Sequence, residues 1–471
     1  MTRIPHESEP PASTLAERRR QFRRYVRNRV TWGRAYRLTS YLKSALWTVP
    51  LIAIALELLL SPLIRSLDDW QRWKLSGIEA AGATALYQTV ITLTLSFLVF
   101  TFGQLLVAIQ IAGGQLTPRI IATILLRNNV VRYSVGLFVF TLVFAVSALN
   151  RQEETVHQLV ATVTALLGIA CIADFLFLID YAARLLRPVS VVARVGDEGT
   201  AMIESVYPDP ATALPPEEAA LRGVSGGPNR AVLHRETSEI VLAIDIPRLM
   251  ALARLHDGVV EFLPQVGDFV AEDEPLFLLH GGAMAIDDRA VHSTVAFGPE
   301  RTLEQDPMFA FRIIVDIALK ALSPAINDPT TAVLAIDQVH RLLRQVGLRK
   351  LRGEVILDDG GQPRVIFRTP NWEHYVQVAC NEIRACGANN LQVARRMRAM
   401  LLHLRGTLPE HRRPSLDTEL DLLDWAIKSH FTRPQELALA MIPDRQGLGG
   451  SSGARLQGPL DSLAALPQTK E

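Results

Sequence analysis

From Ala80 to Pro118 the chain runs thirty-nine residues without a charged side chain. Lipid offers no water to solvate charge, so an uncharged apolar run of eighteen or more residues reads as a membrane-crossing helix. This run is about twice the ~20 residues that one crossing needs. It also carries Thr89, Thr92, Ser96, Gly103, Gln110 and Gly114, which a plain lipid anchor has no use for.

Three more apolar segments accompany it. Ser44–Ile64 is interrupted only by Glu57. Tyr133–Asn150 lies between Arg132 and Arg151. Thr155–Ile179 contains Asp174 and is followed by Asp180. The connections set an orientation. The 113–132 loop holds Arg119, Arg127 and Arg132 and no acid, and Arg184, Arg187 and Arg194 follow the fourth span. The 65–82 loop is balanced. The bias of Lys and Arg toward the cytoplasm therefore predicts cytoplasmic N- and C-termini. Trp47 and Trp70 fall near the two expected interfaces, where aromatic rings concentrate.

A net charge of +1 hides an asymmetry, because residues 1–43 hold eleven Lys and Arg against three acids. Placed just before a span, this basic segment suits an anionic leaflet better than nucleic acid. The lipid bilayer is thus the expected partner, and no nucleic acid is expected. Forty-odd basic and polar residues precede the first apolar segment, so no secretory signal is expected there. Cys171, Cys380 and Cys386 form no metal or redox pattern, so reduced thiols, no metal and no cofactor are expected.

In the second span Thr89, Thr92, Ser96, Gly103, Gln110 and Gly114 fall within a stripe roughly 60° wide at 100° per residue. Small and hydroxyl residues let helices pack closely. The same stripe would line a watery path if several copies met around an axis. Glu57 and Asp174 are the intramembrane acids, a class that marks functional sites by default. Glu57 reads as near the outer end and within reach of interface water. Asp174 reads as near the inner end, with Asp180 beside Arg184 or Arg187.

Residues 182–230 are rich in Pro, Gly and Ala and read as a linker. Residues 231–300 read as a small α/β module, with a strand at 240–245, a helix opened by Pro247, and strand–turn–strand punctuation over 256–279. QVGDFVAEDEPL there resembles the barrel-sandwich fold of biotinyl and lipoyl carriers. Those carriers modify a lysine, and 231–300 contains none. Residues 301–445 read as mainly helical, with a hairpin at 355–367 and helices near 371–386, 389–405, 415–430 and 433–441. Residues 446–471 read as disordered. Ser323-Pro324 stops one helix, and Asp328-Pro329 caps and opens the next. Asn327, Asp328, Thr330 and Thr331 make either that corner or a cytoplasmic polar site, since helix N-termini attract anions.

The stretches LSFLVFTFGQLLVAIQIAGGQLTPRI, QVGDFVAEDEPL and EQDPMFAFRIIVDIALKALSPAINDPTTA together resemble a bacterial family of predicted membrane proteins carrying domain of unknown function 2254. The resemblance covers about 40–440. It implies four spans and a soluble C-terminal region, and no activity. The family's fourth span tends to end in a histidine-containing segment; this chain reads FLIDYAARLL there, so no histidine role carries over.

The expected fold is an α+β membrane protein: four transmembrane helices, then a mixed α/β cytoplasmic domain whose C-terminal part is mainly helical. No nucleophile–base pair, phosphate loop or dinucleotide fingerprint is present, and no enzyme is expected. A hydrolase would need the His and Asp residues of 280–292 to converge. The leading expectation is a homo-oligomeric pore of the bacterial inner membrane, gated by its cytoplasmic domain. The alternative is a membrane-anchored sensor or scaffold whose soluble domain binds a small molecule or a protein.

Overall fold

The computed structural model describes residues 45, 47–71, 77–115, 129–152, 157–185, 187–211, 229–302, 305–351 and 355–450. The basic segment 1–43 and the 119–128 part of the loop after the second span lie outside these. The described chain divides into two compact units.

The first part of the helical unit is a bundle of α1 (Thr48–Gln71), α2 (Ala80–Gln115), α3 (Asn129–Asn150) and α4 (Gln158–Leu185), followed by α5 (Pro188–Val206). Each of α1–α4 contains a stretch long and apolar enough to cross a membrane. The uncharged run forms one helix of 36 residues, about 54 Å at 1.5 Å per residue. That exceeds the ~30 Å of a hydrocarbon core, so α2 is long enough to cross one with length to spare. The end nearest α5 is called proximal below, and the opposite end distal.

The polarity of the bundle is inverted relative to a soluble protein. Leu58, Leu59, Val99, Leu106, Leu166 and Ile169 are each more than 60% exposed. The interior instead holds Glu57, Ser61, Asp68, Thr94, Ser134, Thr141 and Thr164, all buried. In water this arrangement would forfeit the hydrophobic effect; in lipid the outer face is solvated, and helices associate through small and polar residues. Trp47 and Trp70, 49% and 78% exposed, stand at opposite ends of α1.

Helix α3 is the hub, packed against α1, α2 and α4. A methyl group on Gly136 would come within 2.6 Å of Val49 Cγ1, so glycine is what allows α1 and α3 to approach there. The first helix differs from expectation. It extends to Gln71 rather than ending near Ile64, because Asp68 turns inward and accepts from the Leu159 N–H at 3.0 Å. Asp68 thereby caps the start of α4, where a negative charge also meets the helix dipole.

The β-rich unit comprises β1 (Asn229–Leu233), β2 (Glu239–Ile244), α6 (Ile246–Leu255), β3 (Gly258–Phe262), β4 (Phe269–Val270), β5 (Pro275–Gly281), the short α7 (Asp288–His292), β6 (Val295–Gly298), β7 (Val355–Leu357) and β8 (Pro363–Phe367). One sheet has the order β1-β5-β3-β8-β7 and the other β4-β2-β6. Phe262, Leu276, Phe277, Leu249 and Val365 fill the core. The 355–367 hairpin joins this unit although it sits in the segment read as mainly helical. Strand β8 runs parallel to β3, with Val260 opposite Val365, which buries Val365 and Phe367.

The rest of the helical unit is α8 (Pro307–Leu322), α9 (Pro329–Gly347), α10 (Trp372–Gly387), α11 (Leu391–Thr407), α12 (Arg413–His430) and α13 (Pro434–Ala440). These match the sequence-based boundaries to within a few residues. Helix α8 is the centre, with Phe309, Phe311, Ile313, Ile314 and Ile317 all buried.

Two segments read as irregular are ordered. Helix α5 lies inside the expected linker 182–230. Val191, Val192, Val195 and Ile203 make its buried face against α8 and α9. Gly196 and Gly199 interrupt that apolar pattern in the sequence, yet they are what lets α5 sit close: a Cβ on Gly199 would meet Ala310 Cβ at 2.9 Å. Residues 446–450, read as the start of the disordered tail, are held down. Asp444 accepts from the N–H groups of Gln446, Gly447 and Gly449 at 3.0, 3.1 and 2.8 Å. Arg395 donates to the carbonyls of Ile442, Gly449 and Gly450.

Candidate functional site

The stripe on α2 faces outward. Thr89, Thr92, Ser96, Gly103 and Gln110 are all exposed, while Ala83, Tyr87, Val90, Thr94, Leu98, Thr101 and Ala108 on the opposite side are buried in the bundle. Gly114 lies in the last turn of the same helix. Each hydroxyl on the stripe spends its donor on its own helix: Thr89 to Ala85 O at 2.7 Å, Thr92 to Gln88 O at 2.9 Å, Ser96 to Thr92 O at 2.8 Å. Such back-bonding makes a hydroxyl tolerable in lipid and leaves acceptor lone pairs pointing out. At 100° per residue Val99 and Val107 share this face, so it is small as much as polar. Nothing lies within 4 Å of a Cβ built on Gly103. Among the described residues nothing packs on the stripe.

The corner between α8 and α9 is built by capping. Asp328 is the N-cap of α9 and accepts from the Thr331 N–H at 3.1 Å and from the Thr331 hydroxyl. Asn327 takes the left-handed backbone with φ of 48°, which asparagine tolerates better than most residues. The N–H of Asn327 reaches Ser323 O, and that of Asp328 reaches Ala321 O, both at 2.8 Å. The Asp328 carboxylate is therefore engaged in its own turn. Thr330 and Asn327 remain exposed. The helix-corner reading accounts for the geometry of all four residues.

The intramembrane acids differ from one another. Asp174 accepts from the Ser134 hydroxyl at 3.1 Å. Glu57 is 0% exposed, and neither carboxylate oxygen has a hydrogen-bond partner. Its place along α1 is central. Nine residues separate it from Thr48 and eleven from Asp68. At about 1.5 Å per residue it stands near the midpoint of a ~30 Å span. Asp180 pairs with Arg184, one turn on, as the sequence suggested.

Glu57 has polar company along the bundle axis that sequence reasoning missed. Toward the proximal end come Cys171 beside Thr141 at 3.3 Å, the Asp174–Ser134 pair, and Arg132 on Thr48 at 2.6 Å. Toward the distal end come Ser61 and Ser147, 3.5 Å apart, then Asp68 with His157 at 3.8 Å. The available signal was the i, i+4 recurrence of Glu57 and Ser61, continued by Asp68, on an otherwise apolar helix. A 260 Å³ pocket between α2 and α4 is lined by residues that include Phe100, Leu105, Phe175 and Leu178.

The histidines outside the bundle fall in separate contacts. His280 meets Glu261 at 2.9 Å, whereas His292 stacks on buried His234 with ring nitrogens 3.3 Å apart. A second pair joins His340 Nε2 to His403 Nδ1 at 2.8 Å, and Arg396 reaches the other nitrogen of His340 at 3.2 Å. Among the described residues no three His, Cys, Asp or Glu side chains are grouped to hold a metal.

Burial, followed by Arg396, His403 and Arg344, pushes His340 down to about 4 from 6.5. The ring is a base whose pKa is lower folded than unfolded. Its contribution to stability is complete above pH 6.5, declines as pH falls toward 4, and levels off below. Thermal melting of the detergent-solubilised protein is expected to show this decline, and His340→Gln is expected to flatten part of it.

The sequence profile of a family described as predicted membrane protein, domain of unknown function 2254, matches residues 43–403. An uncharacterized protein of Mycobacterium tuberculosis and another of Mycobacterium bovis are each 23% identical over 442 residues, covering 87% of this chain and 84% of theirs. No solved structure matches.

Proposed function

This chain belongs to the family of predicted membrane proteins with domain of unknown function 2254, and we propose that it works as a homo-oligomeric permeation protein of the bacterial inner membrane. The α2 helices of several subunits face a common axis. The observation that carries this reading is the outward stripe. A helix already packed on one side presents Thr89, Thr92, Ser96, Gly103 and Gln110 on the other, where lipid rewards none of them.

The termini, the β-rich unit and the part of the helical unit after α4 are cytoplasmic in this reading, on the strength of Arg119, Arg127, Arg132, Arg184, Arg187 and Arg194. Gating has a mechanical route. Helix α4 runs into α5, which is buried on α8 and α9, and Arg194 of α5 bonds back to Tyr181 of α4 at 3.2 Å. A shift in the helical core thus pulls on the bundle. The lining carries no charge, so it discriminates weakly between ions. The protein is read as a conduit rather than an enzyme, with lipid and copies of itself as partners and nucleic acid as none. Conductance of the purified protein in planar bilayers tests the reading; a silent bilayer with folded, inserted protein contradicts it.

The second reading is a membrane-anchored sensor or scaffold. It is favoured by the size of the soluble part, which includes a β-rich unit with a core of its own. It predicts no conductance and a ligand bound by the soluble part.

A further inference from the structure

We propose that Glu57 is the proton-carrying group of a second path, one that runs through the interior of each four-helix bundle and is separate from the stripe on α2. Three observations carry this. Glu57 is fully enclosed, with both carboxylate oxygens unpartnered. It stands at mid-span, about as far from lipid headgroups as α1 allows. Hydroxyl and carboxyl groups continue the line on both sides of it: the Ser134–Asp174 pair on the proximal side, the Ser61–Ser147 pair and then Asp68 on the distal side.

A structural acid would be paired. Asp68 shows what that looks like, capping the backbone of α4, and Asp180 pairs with Arg184. Among the described residues Glu57 caps nothing and meets no cation. A bare carboxylate at this depth is among the most unfavourable groups a helix can carry, so the site requires a proton, a cation or water. A metal cation needs on the order of six oxygen ligands around it, whereas a proton needs one oxygen. The lone, uncoordinated carboxyl suits the proton. Pro62, which has no N–H, also removes the helical partner of the Leu58 carbonyl, so an acceptor for a water is added one residue from Glu57. The other titratable groups of the bundle interior are Asp174 and Cys171 toward one end, Asp68 and His157 toward the other, Arg132 at the proximal rim and Tyr87 on α2.

In the transfer step, an O–H bond of a hydronium ion entering from one side breaks as the Glu57 Oε–H bond forms. Release reverses this toward a water on the other side. One proton crosses, the water is regenerated, and nothing is oxidised or reduced. The hydroxyls of Ser61, Ser147, Ser134 and Thr141 each donate and accept, as a relay requires.

The test uses full-length protein in vesicles with an internal pH dye and a potassium diffusion potential. The parent is the T92L/S96L/Q110L variant, in which the α2 path is closed. Proton flux above that of empty vesicles is expected in this parent, lost on adding Glu57→Gln and retained with Glu57→Asp. A parent with no flux, or a Glu57→Gln variant that matches it, overturns the proposal. If Glu57→Gln fails to fold, carbodiimide labelling of the unmutated protein decides. A mass-spectrometric adduct on Glu57 supports a protonated carboxyl in an apolar site, and unmodified Glu57 overturns it. Failure of the α2 pore reading is seen separately, as absent conductance in the unmutated protein.

Discussion

Leucine placed together at Thr92, Ser96 and Gln110 is expected to abolish single-channel salt conductance while leaving the fold intact. The three side chains are exposed, and the two hydroxyls bond only to their own helix. Removing them breaks no contact with α1, α3 or α4. Surface substitutions of this kind change stability by about 0.5 kcal/mol or less, and leucine is well suited to a helix in lipid. If the stripe faces lipid, the variant should behave as the parent does. If it faces water at an axis, three rings of leucine form an apolar constriction, and such constrictions close by dewetting. The measurement is single-channel recording alongside size-exclusion chromatography, so that loss of current is read only from protein that still elutes as the parent oligomer. Full conductance in the triple variant contradicts the account.

Arg395→Ala is expected to destabilise the helical unit by about 3 kcal/mol, the largest stability effect foreseen for a single soluble-side residue. The guanidinium is 1% exposed and donates to three carbonyls of the 442–450 segment, at 2.9, 2.8 and 3.0 Å. Truncation removes three charge-assisted bonds, made to the half-buried carbonyls of Ile442 and Gly449 and the exposed Gly450, and empties the enclosed site of the side chain. Arg395→Lys should recover only part of the loss, because one ammonium does not span acceptors that a planar fork reaches together. Chemical denaturation followed by tryptophan fluorescence reads both variants. Limited proteolysis is expected to cut the 442–450 segment first in Arg395→Ala. Equal stability of Arg395→Ala and the parent would show that the segment is held by Asp444 and Gln392 without Arg395.

The four long apolar helices were legible because a helix able to cross lipid obeys one coarse rule, the absence of charge over about 20 residues. The corner at 323–331 was legible for a similar reason: Asp328 and Pro329 can do little else at a helix start. What escaped were features that depend on which way a side chain turns. Asp68 read as a loop charge because charge at the end of a span normally is one, whereas the fold draws it inside to cap α4. Helix α5 was hidden by Gly196 and Gly199, which look like loop punctuation in one dimension and act as close-contact points in three. The hairpin at 355–367 was found, but its parallel pairing with β3 joins residues about a hundred positions apart and leaves no local trace. For the stripe, the sequence supplied the alignment of small and polar residues. Only the packing of Tyr87, Thr94, Leu98 and Thr101 on the opposite side established that the stripe faces away from its own bundle.

Thiol accessibility along α2 tests the central claim most directly. Single cysteines would be introduced at Thr92, Ser96, Gly103 and Gln110, with Leu95 and Phe102 as exposed controls on the flank, in protein carrying Cys386→Ser because Cys386 is the exposed native thiol. A charged, membrane-impermeant thiol reagent is expected to modify the four stripe positions and block conductance, while positions 95 and 102 remain unmodified. Uniform protection of all six positions, in protein that is folded and inserted, would place the stripe against lipid or another helix and contradict a water-filled path.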